Sequence, residues 1–235
     1  MTTLAIHQPN YLPWIGYFDK MRSADVFVLL DAVQYPRARS VANRNTIRTS
    51  QGELLLTVPV SRPKGSEGKA GYREIAFADE SWRTKHLRTI EQAYRRAPHF
   101  GRLYPELARI VTEGASFCDL NVALIRWMAG RFEIDTPTPL MSELGDGFGH
   151  SNEMIVELCR ATSADVYLSG TGAGAYNDPG RLAEAGIELR YQDFEHPVYR
   201  QVGEGFVPNL SALDMLFNCG GWASAAAPPT TGSAR

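Results

Sequence analysis

The sequence predicts an α/β fold in which a mostly parallel sheet is combined with a helical middle segment. Near the N-terminus, an apolar run at 4–6, a polar turn, a helical pattern and a second apolar run at 26–30 form a βαβ-like unit. The chain is helical in pattern over about 79–136, and short buried strands return after that segment. Strands that alternate with helices in this way are typical of parallel sheets.

Length and composition favour one domain. A chain of 235 residues with 44% hydrophobic content is large enough to bury a full core. We expect a single α/β domain over 1–222, in which the helices of about 79–136 are an insertion. The tail at 223–235 consists mainly of small residues and proline, so we expect it to be disordered.

The first unit is defined by its prolines. It begins with the strand at 4–6. Because Pro9 and Pro13 lack a backbone N–H and have a fixed φ, a helix can begin only at about Pro13, which suits a first helical turn. The helix continues to Met21, and the strand at 26–30 completes the unit.

Two further strands are predicted before the helical segment. The runs at 46–49 and 54–60 are joined through 50–52, which predicts a hairpin. The composition of 61–71 is that of a solvated loop, and 73–77 is expected to form one more short strand.

The middle segment predicts three helices. Ser81 caps the first, in which large side chains recur every four residues and which ends before Pro98. The second spans 103–111 and the third about 119–131, each with one apolar face.

The α/β pattern returns near the C-terminus. The predicted elements are a helix that begins at Ser151, a strand at 165–169, a short helix at 181–185, a strand at 187–191 and a final helix at 210–217.

Charge and cysteine content exclude several classes of protein. A net charge of −2 and a pI near 6.2 argue against a nucleic-acid-binding stripe. No apolar run approaches the roughly 18 to 20 residues of a membrane span, and no secretory signal is seen. The three cysteines fit neither a disulfide framework nor a zinc pattern, so we expect a cytoplasmic protein without a metal site.

Polar side chains follow the ends of the predicted strands. His7 and Asp31 come after the first two strands, and Ser169 with Gly170 closes a later one. Because the carboxyl ends of parallel strands lie at one edge of a sheet, we expect these residues to line one crevice. His7 is the first catalytic candidate, and a purely structural histidine is the alternative.

Further candidates come from residue chemistry. Arg44, followed by Asn45, offers a bidentate guanidinium for a carboxylate or phosphate, unless it is a solvated surface arginine. His86 falls on the inward face of its helix, either as a catalytic group or as a core histidine. Gln8 and Tyr11 add polar tips to the turn after the first strand.

The glycine-rich loop after the strand at 165–169 formally matches GxGxxA over 170–175. No long helix follows it directly, as a dinucleotide fingerprint requires. We therefore interpret the loop as a set of backbone N–H groups that face a bound anion or carbonyl together with Ser169 and Tyr176.

The N-terminal unit resembles the start of HIGH-type nucleotidyltransferases and pantothenate synthetase-like ligases. The shared features are the strand, the polar turn, the Pro13-x-x-Gly16 spacing and the helix. The resemblance implies a Rossmann-like fold. Tyr17 stands where the second histidine of those proteins would fall, and no KMSKS-like loop is visible, so ATP chemistry stays open.

The whole chain also resembles the WbqC-like family. The similar blocks run in order from about residue 3 to 221: HQPNYLPWIGYFDKM, ADVFVLLDAVQY, NRNTIR, LLLTVPV, WRTKHLRTIEQAY, DVYLSGTGAGAY and NLSALDMLFNCGG. Members are associated with O-antigen, capsule and natural-product clusters. The resemblance implies a biosynthetic role in which an acyl or aminoacyl, glycyl-like group is transferred to an amine.

Our leading hypothesis is therefore a tailoring enzyme that forms an amide. Amide formation needs a base, donors for the developing oxyanion and a clamp for the donor substrate. We predict His7 as the base, oriented by Asp31 or Gln34. Gln8, Tyr11 and the 169–170 backbone would supply donors, and Arg44 with Asn45 the clamp.

Two alternatives remain at this point. One is an ATP-dependent amide ligase or nucleotidyltransferase of the HIGH type, and the other is a non-catalytic binder of a sugar nucleotide or carrier. The leading hypothesis requires no cofactor, whereas the ligase would use ATP. The transferase of the leading hypothesis would have a small-molecule amine acceptor and an acyl or peptidyl carrier protein as donor. The sequence leaves the oligomeric state open.

Overall fold

The structure, a computed structural model, describes residues 1–36, 41–66, 69–174 and 176–222. In chain order its elements are β1 (Thr3–His7), α1 (Ile15–Arg22), β2 (Val26–Leu29), β3 (Arg44–Thr49), β4 (Gly52–Thr57), β5 (Val60–Ser61), β6 (Ala76–Phe77), α2 (Ser81–Tyr94), α3 (Phe100–Glu113), α4 (Phe117–Arg131), α5 (Met141–Leu144), α6 (Asn152–Ala161), β7 (Val166–Ser169), α7 (Pro179–Glu184), β8 (Glu188–Tyr191) and α8 (Leu213–Cys219). The predicted tail at 223–235 lies outside the described residues.

Four parallel strands form the central sheet, in the order β2-β1-β7-β8. His7 lies opposite Leu29 of β2, and Ala5 lies opposite Leu168 of β7. This arrangement confirms the predicted α/β fold with a parallel, Rossmann-like sheet. Because β1 has β2 on one side and β7 on the other, the strand order reverses beside β1.

Both faces of this sheet are covered. Ala5, Phe27 and Leu168 point into the larger apolar core, which also contains α1 to α4 and α8. Leu4 and Val28 point the other way, into a second core formed with α5 to α7. Side chains of a strand alternate between faces, so these strands are apolar on both sides, as is usual in parallel sheets.

Two short antiparallel ribbons lie apart from the central sheet. β3 and β4 form the predicted hairpin, in which Gly52 has the positive φ of +107° that its turn requires. The predicted strand at 54–60 is divided into β4 and β5. Pro59 explains the division because it has no N–H to donate to a neighbouring strand. The N–H of Val58, just before it, donates to the carbonyl of Asn43.

The helices occupy the predicted places. α2 begins at Ser81 and buries one face every four residues, through Trp82, His86, Ile90 and Tyr94. α3 and α4 extend beyond their predicted bounds, and the short α5 had no sequence signal. In the described part of the chain, no helix has the length and apolar character needed to cross a bilayer.

Candidate functional site

A cleft of about 840 Å³ opens at the carboxyl edge of the parallel sheet, beside the ends of β1 and β7. It is the position at which the strand order reverses, and open α/β sheets bind ligands there. One face of α1 and the segment after β8 complete its walls. A cleft of this size is large enough to hold a small organic molecule.

His7 is the last residue of β1 and is half-buried in this cleft. Its ring packs against the ring of Tyr17, with centroids 4.7 Å apart. Its Nδ1 lies 3.1 Å from the carbonyl oxygen of Gln8, which can only accept, so Nδ1 carries the proton. Burial, and then the charge of Lys20, lower the pKa of His7 to about 3, so near pH 7 the ring is neutral and its Nε2 is unprotonated.

Lys20 lies in the same cleft, although the sequence analysis did not select it. It is 6% exposed, and its Nζ donates a hydrogen bond of 3.0 Å to the carbonyl of Ile6. Burial lowers the pKa of Lys20 to about 8, so the ammonium form predominates at pH 7. The sequence signal that could have identified Lys20 was its helical spacing from Gly16 and Tyr17. The three residues share one face of α1, and all line the cleft.

The opposite wall follows β7. Ser169 is fully buried, and its Oγ accepts a hydrogen bond of 2.9 Å from Nδ2 of Asn177. Gly170 and Gly172 both line the cleft, and because glycine has only backbone atoms, this wall is peptide backbone. A Cβ at either position would meet no atom within 4 Å, so the space beside them is open to a ligand.

The mouth of the cleft is aromatic. Trp14 is 37% exposed and packs edge-to-face against Phe194, with ring centroids 5.2 Å apart. Tyr176, at 76% exposure, also lines the opening. The cleft therefore has polar groups at its floor and aromatic rings at its mouth.

Gln192 connects the two walls of the cleft. Its backbone N–H donates to the carbonyl of Ser169, at 2.8 Å. Its side chain donates to the carbonyl of Gly16 and to Oδ2 of Asp19, each at 2.8 Å. These bonds hold α1 against the end of β7. Gln192 directly follows the strand predicted at 187–191, so the strand-end rule that selected His7 and Ser169 could also have selected Gln192.

The structure brings several of the predicted residues to this one cleft: His7, Gln8, Ser169, Gly170 and Tyr176. His7 and Ser169 are far apart in sequence but line one cleft at one edge of the sheet, as their positions at strand ends predicted. The remaining candidates occupy other places.

Asp31 is buried but is not among the described residues that line the cleft. Its two oxygens accept from the N–H and the hydroxyl of Ser142, at 3.0 and 2.6 Å. Arg73 approaches it at 3.8 Å from the solvent side. After β2 ends, the chain therefore directs this carboxylate towards α5, and its described hydrogen bonds do not include His7.

Tyr11 and His86 form a separate buried pair. The Tyr11 hydroxyl lies 3.0 Å from Nδ1 of His86, and Trp82 packs edge-to-face on His86. Burial, and then the charge of Lys85, lower the pKa of His86 to about 4. His86 lies on the buried face of α2, where it meets Tyr11 from the turn after β1, and neither residue is among the described lining of the cleft.

Arg44, Asn45 and Gln34 also lie away from the cleft. Arg44 and Asn45 belong to β3, which pairs with β4 outside the parallel sheet. Asn45 donates to the carbonyl of Leu12 at 2.6 Å and therefore positions the loop before α1. Gln34 is exposed and bridges to Gly71. The predicted clamp is thus not part of this cleft.

Histidine, cysteine and carboxylate side chains are common metal ligands, and cysteine thiolates are also nucleophiles. Among the residues that the structure describes, no group of three or more His, Cys, Asp or Glu side chains is placed to hold a metal ion. Burial raises the pKa of Cys118 to about 12 and of Cys159 and Cys219 to about 11. These thiols are therefore protonated near pH 7 and are poor nucleophiles.

Two comparisons with known proteins agree with the sequence blocks. The family model described as the WbqC-like protein family matches residues 8–225. The uncharacterized protein Rv1507c of Mycobacterium tuberculosis is 35% identical over 225 residues, which cover 94% of this chain and 95% of that protein. The matched range includes α1, β7 and the loop after β7, so most of the cleft lies within the shared sequence.

Proposed function

The chain belongs to the WbqC-like protein family, and from that premise we propose that it is an enzyme that transfers an acyl or aminoacyl group to an amine. The donor would carry a small, glycyl-like group in an activated form, such as a thioester on a carrier protein. The product would be an amide on a precursor of a surface polysaccharide or a natural product.

One observation supports this proposal. In the cleft where the strand order reverses, a neutral histidine whose Nε2 carries no proton lies beside a lysine ammonium. Amide formation from an activated acyl group needs a proton acceptor and groups that stabilise negative charge. His7 supplies the acceptor. Gln8 and the backbone at Gly170 and Gly172 line the same space, where a carbonyl oxygen would develop charge.

In the proposed reaction, the amine nitrogen attacks the carbonyl carbon of the donor, and the carbonyl π electrons move to oxygen. His7 Nε2 takes the proton that the amine nitrogen loses. The oxyanion then collapses, the bond from carbon to the leaving group breaks, and His7 returns the proton to the leaving thiolate. Atoms and electrons balance without a cofactor.

We expect His7→Ala to lower turnover by about two to four orders of magnitude, the usual contribution of a positioned general base. A direct assay uses a glycyl thioester of pantetheine as the simplest mimic of a loaded carrier. Hydroxylamine serves as a general amine acceptor, and the hydroxamate product is measured with ferric iron. Circular dichroism and a thermal melt establish that the variant is folded.

The control is His150→Ala, which removes an exposed loop histidine and should leave turnover unchanged. A folded His7→Ala protein with wild-type turnover would remove His7 from the mechanism. Absence of turnover in the wild type with aminoacyl or acyl thioesters would favour the non-catalytic binder of a carrier or sugar nucleotide.

A second candidate is ATP-dependent amide ligation or nucleotidyl transfer. It is supported by the glycine backbone and the lysine at the switch point, since such positions in α/β folds bind phosphates. Tyr17 counts against it, because its hydroxyl donates to the Gln8 carbonyl at 3.2 Å where HIGH-type enzymes place a second histidine. Calorimetric titration with ATP distinguishes this candidate from the transferase. ATP binding, followed by release of pyrophosphate, would favour the ligase.

A further inference from the structure

Lys20 carries a buried charge, and no Asp or Glu among the described residues forms an ion pair with it. Its Nζ donates to one backbone carbonyl, that of Ile6, although an ammonium has three N–H groups. The ring of Phe27 lies 5.7 Å away and offers only a weak cation–π contact. None of the ion pairs among the described residues includes Lys20.

The neighbouring carboxylate is engaged elsewhere. Asp19 is bound by Arg22 at 3.1 Å through one oxygen, and Gln192 donates to the other at 2.8 Å. The described residues that line the cleft include Lys20 as a cation and no Asp or Glu. A charge that is desolvated and unpaired costs free energy unless a partner arrives.

We infer that the substrate carries an anionic oxygen group, a carboxylate or a phosphate, which pairs with Lys20 beside His7, and an apolar part that packs against the aromatic mouth formed by Trp14 and Phe194. This inference rests on the proposed function only in assigning the anion to a substrate. The aromatic mouth provides the apolar contact, and the ammonium at the floor provides the charge.

Pairing at Lys20 has a consequence for His7. The lysine charge is one of the causes that lower the pKa of His7, so an anion bound to Lys20 offsets that effect. The imidazole then becomes a stronger proton acceptor when substrate is present. Occupancy of the cleft would thereby activate the base, because an effective general base has a pKa nearer the working pH.

The test uses matched aromatic probes that differ in charge. Benzoate and phenyl phosphate carry the two candidate anions on the same ring, and benzamide and phenol are their neutral counterparts. Binding is followed by the fluorescence of Trp14, with Trp14→Phe to identify its signal. We expect at least one anion to bind the wild type about 10- to 100-fold more tightly than its neutral counterpart, as for a hydrogen bond to a charged group.

Lys20→Met keeps the buried stem and removes the charge. We expect it to lose the preference for the anion, while Lys85→Met, which removes an exposed charge on α2, keeps it. The proton resonances of His7 provide a second readout. Its pKa should rise in the wild type when the anion binds, and should already be raised in Lys20→Met before any anion is added.

If neither anion binds better than its neutral counterpart, or if Lys20→Met keeps the preference, the inference is wrong. If Lys20→Met does not fold, the wild type still decides, because anion affinity should fall as the pH rises through about 8, where Lys20 loses its proton. Binding is measured without turnover, so anion binding in a protein that forms no amide would overturn only the proposed function. Amide formation without anion binding would overturn only this inference.

Discussion

At the scale of single residues, Gly16 is required by a neighbour and not by its own backbone angles. It lies inside the first turn of α1, and the indole of Trp14 covers its Cα, so a Cβ at this position would overlap the ring. The glycine thereby allows Trp14 to fold back over α1 and meet Phe194 at the mouth of the cleft.

Gly16→Ala should displace Trp14 and weaken ligand binding with little loss of stability. The indole is the movable end of a side chain, and alanine is favoured over glycine in a helix by up to about 1 kcal/mol, which offsets the disturbed packing. The expected result is a changed Trp14 emission spectrum and a raised KM, with a melting temperature close to that of the wild type.

Gly101→Ala is the matched control, because Gly101 is also helical and a Cβ there would meet nothing within 4 Å. It should leave both emission and KM unchanged. An unaltered KM in Gly16→Ala would show that Trp14 does not contact the substrate.

Part of the site could be predicted from residue types and strand ends, whereas the rest depended on where the fold places each residue. His7 and Ser169 were predicted because strand ends are visible in a sequence. Lys20 was missed because a lysine in a helix is usually solvated, and its burial depends on β1 and β7 packing against α1. Arg44 has suitable chemistry but lies on a hairpin outside the sheet, which residue type cannot indicate.

At the scale of elements, Asp31 joins the end of β2 to the start of α5. Asp31→Ala would leave the N–H and hydroxyl of Ser142 without this acceptor and should cost about 1 to 3 kcal/mol of stability. For a chain of this length, each kcal/mol lowers the melting temperature by about 3 °C. We expect kcat to stay close to that of the wild type.

Asp31→Asn retains one acceptor oxygen and should lose less stability than Asp31→Ala. A large fall in kcat for both variants, with melting temperatures unchanged, would instead restore Asp31 to the catalytic role that the sequence predicted. Arg73 adds little to either result, since its side chain is 63% exposed and exposed ion pairs contribute weakly.

Elements with a strong local signal were predicted well. α2 buries a side chain every four residues, and the β3–β4 hairpin has a glycine at its turn; the predicted Ser81 cap was wrong, since Ser81 is the first residue of the helix and Glu80 precedes it without a capping side-chain bond. The predicted strand at 54–60 is divided at Pro59, which has no backbone N–H. Whether the missing N–H interrupts a strand depends on tertiary structure, because it matters only where a neighbouring strand would accept from it. α5 spans only four residues, too few for a helical period to show in the sequence, and part of its N-terminal capping comes from Asp31, which is distant in sequence.

At the scale of the whole molecule, the parallel sheet determines where the cleft forms. The fold class alone predicted that strand ends would share one edge. The strand order β2-β1-β7-β8 was not predictable in the same way, because β1 pairs with β7 across a long sequence separation. That pairing brings α1, the loop after β7 and the segment after β8 around His7.

The stability of the whole molecule should fall in mild acid. Burial lowers the pKa of His86 from about 6.5 to about 4, so below pH 6.5 the unfolded chain binds a proton there that the folded chain does not. The stabilising contribution is present above pH 6.5 and is lost as the pH falls to about 4. The shift corresponds to about 3 kcal/mol in the free energy of unfolding.

The measurement is urea unfolding at intervals between pH 7 and pH 4 in the wild type, His86→Gln and the exposed-loop control His150→Gln. His86→Gln also disturbs the bond to Tyr11, so its curve starts lower, but its slope over this range should be shallower. Asp214 acts in the opposite direction, since burial raises its pKa and the folded state binds its proton more readily. Because Asp214 is present in all three proteins, the difference between their slopes of unfolding free energy against pH isolates His86. Equal slopes for His86→Gln and the wild type would show that His86 titrates normally in the fold.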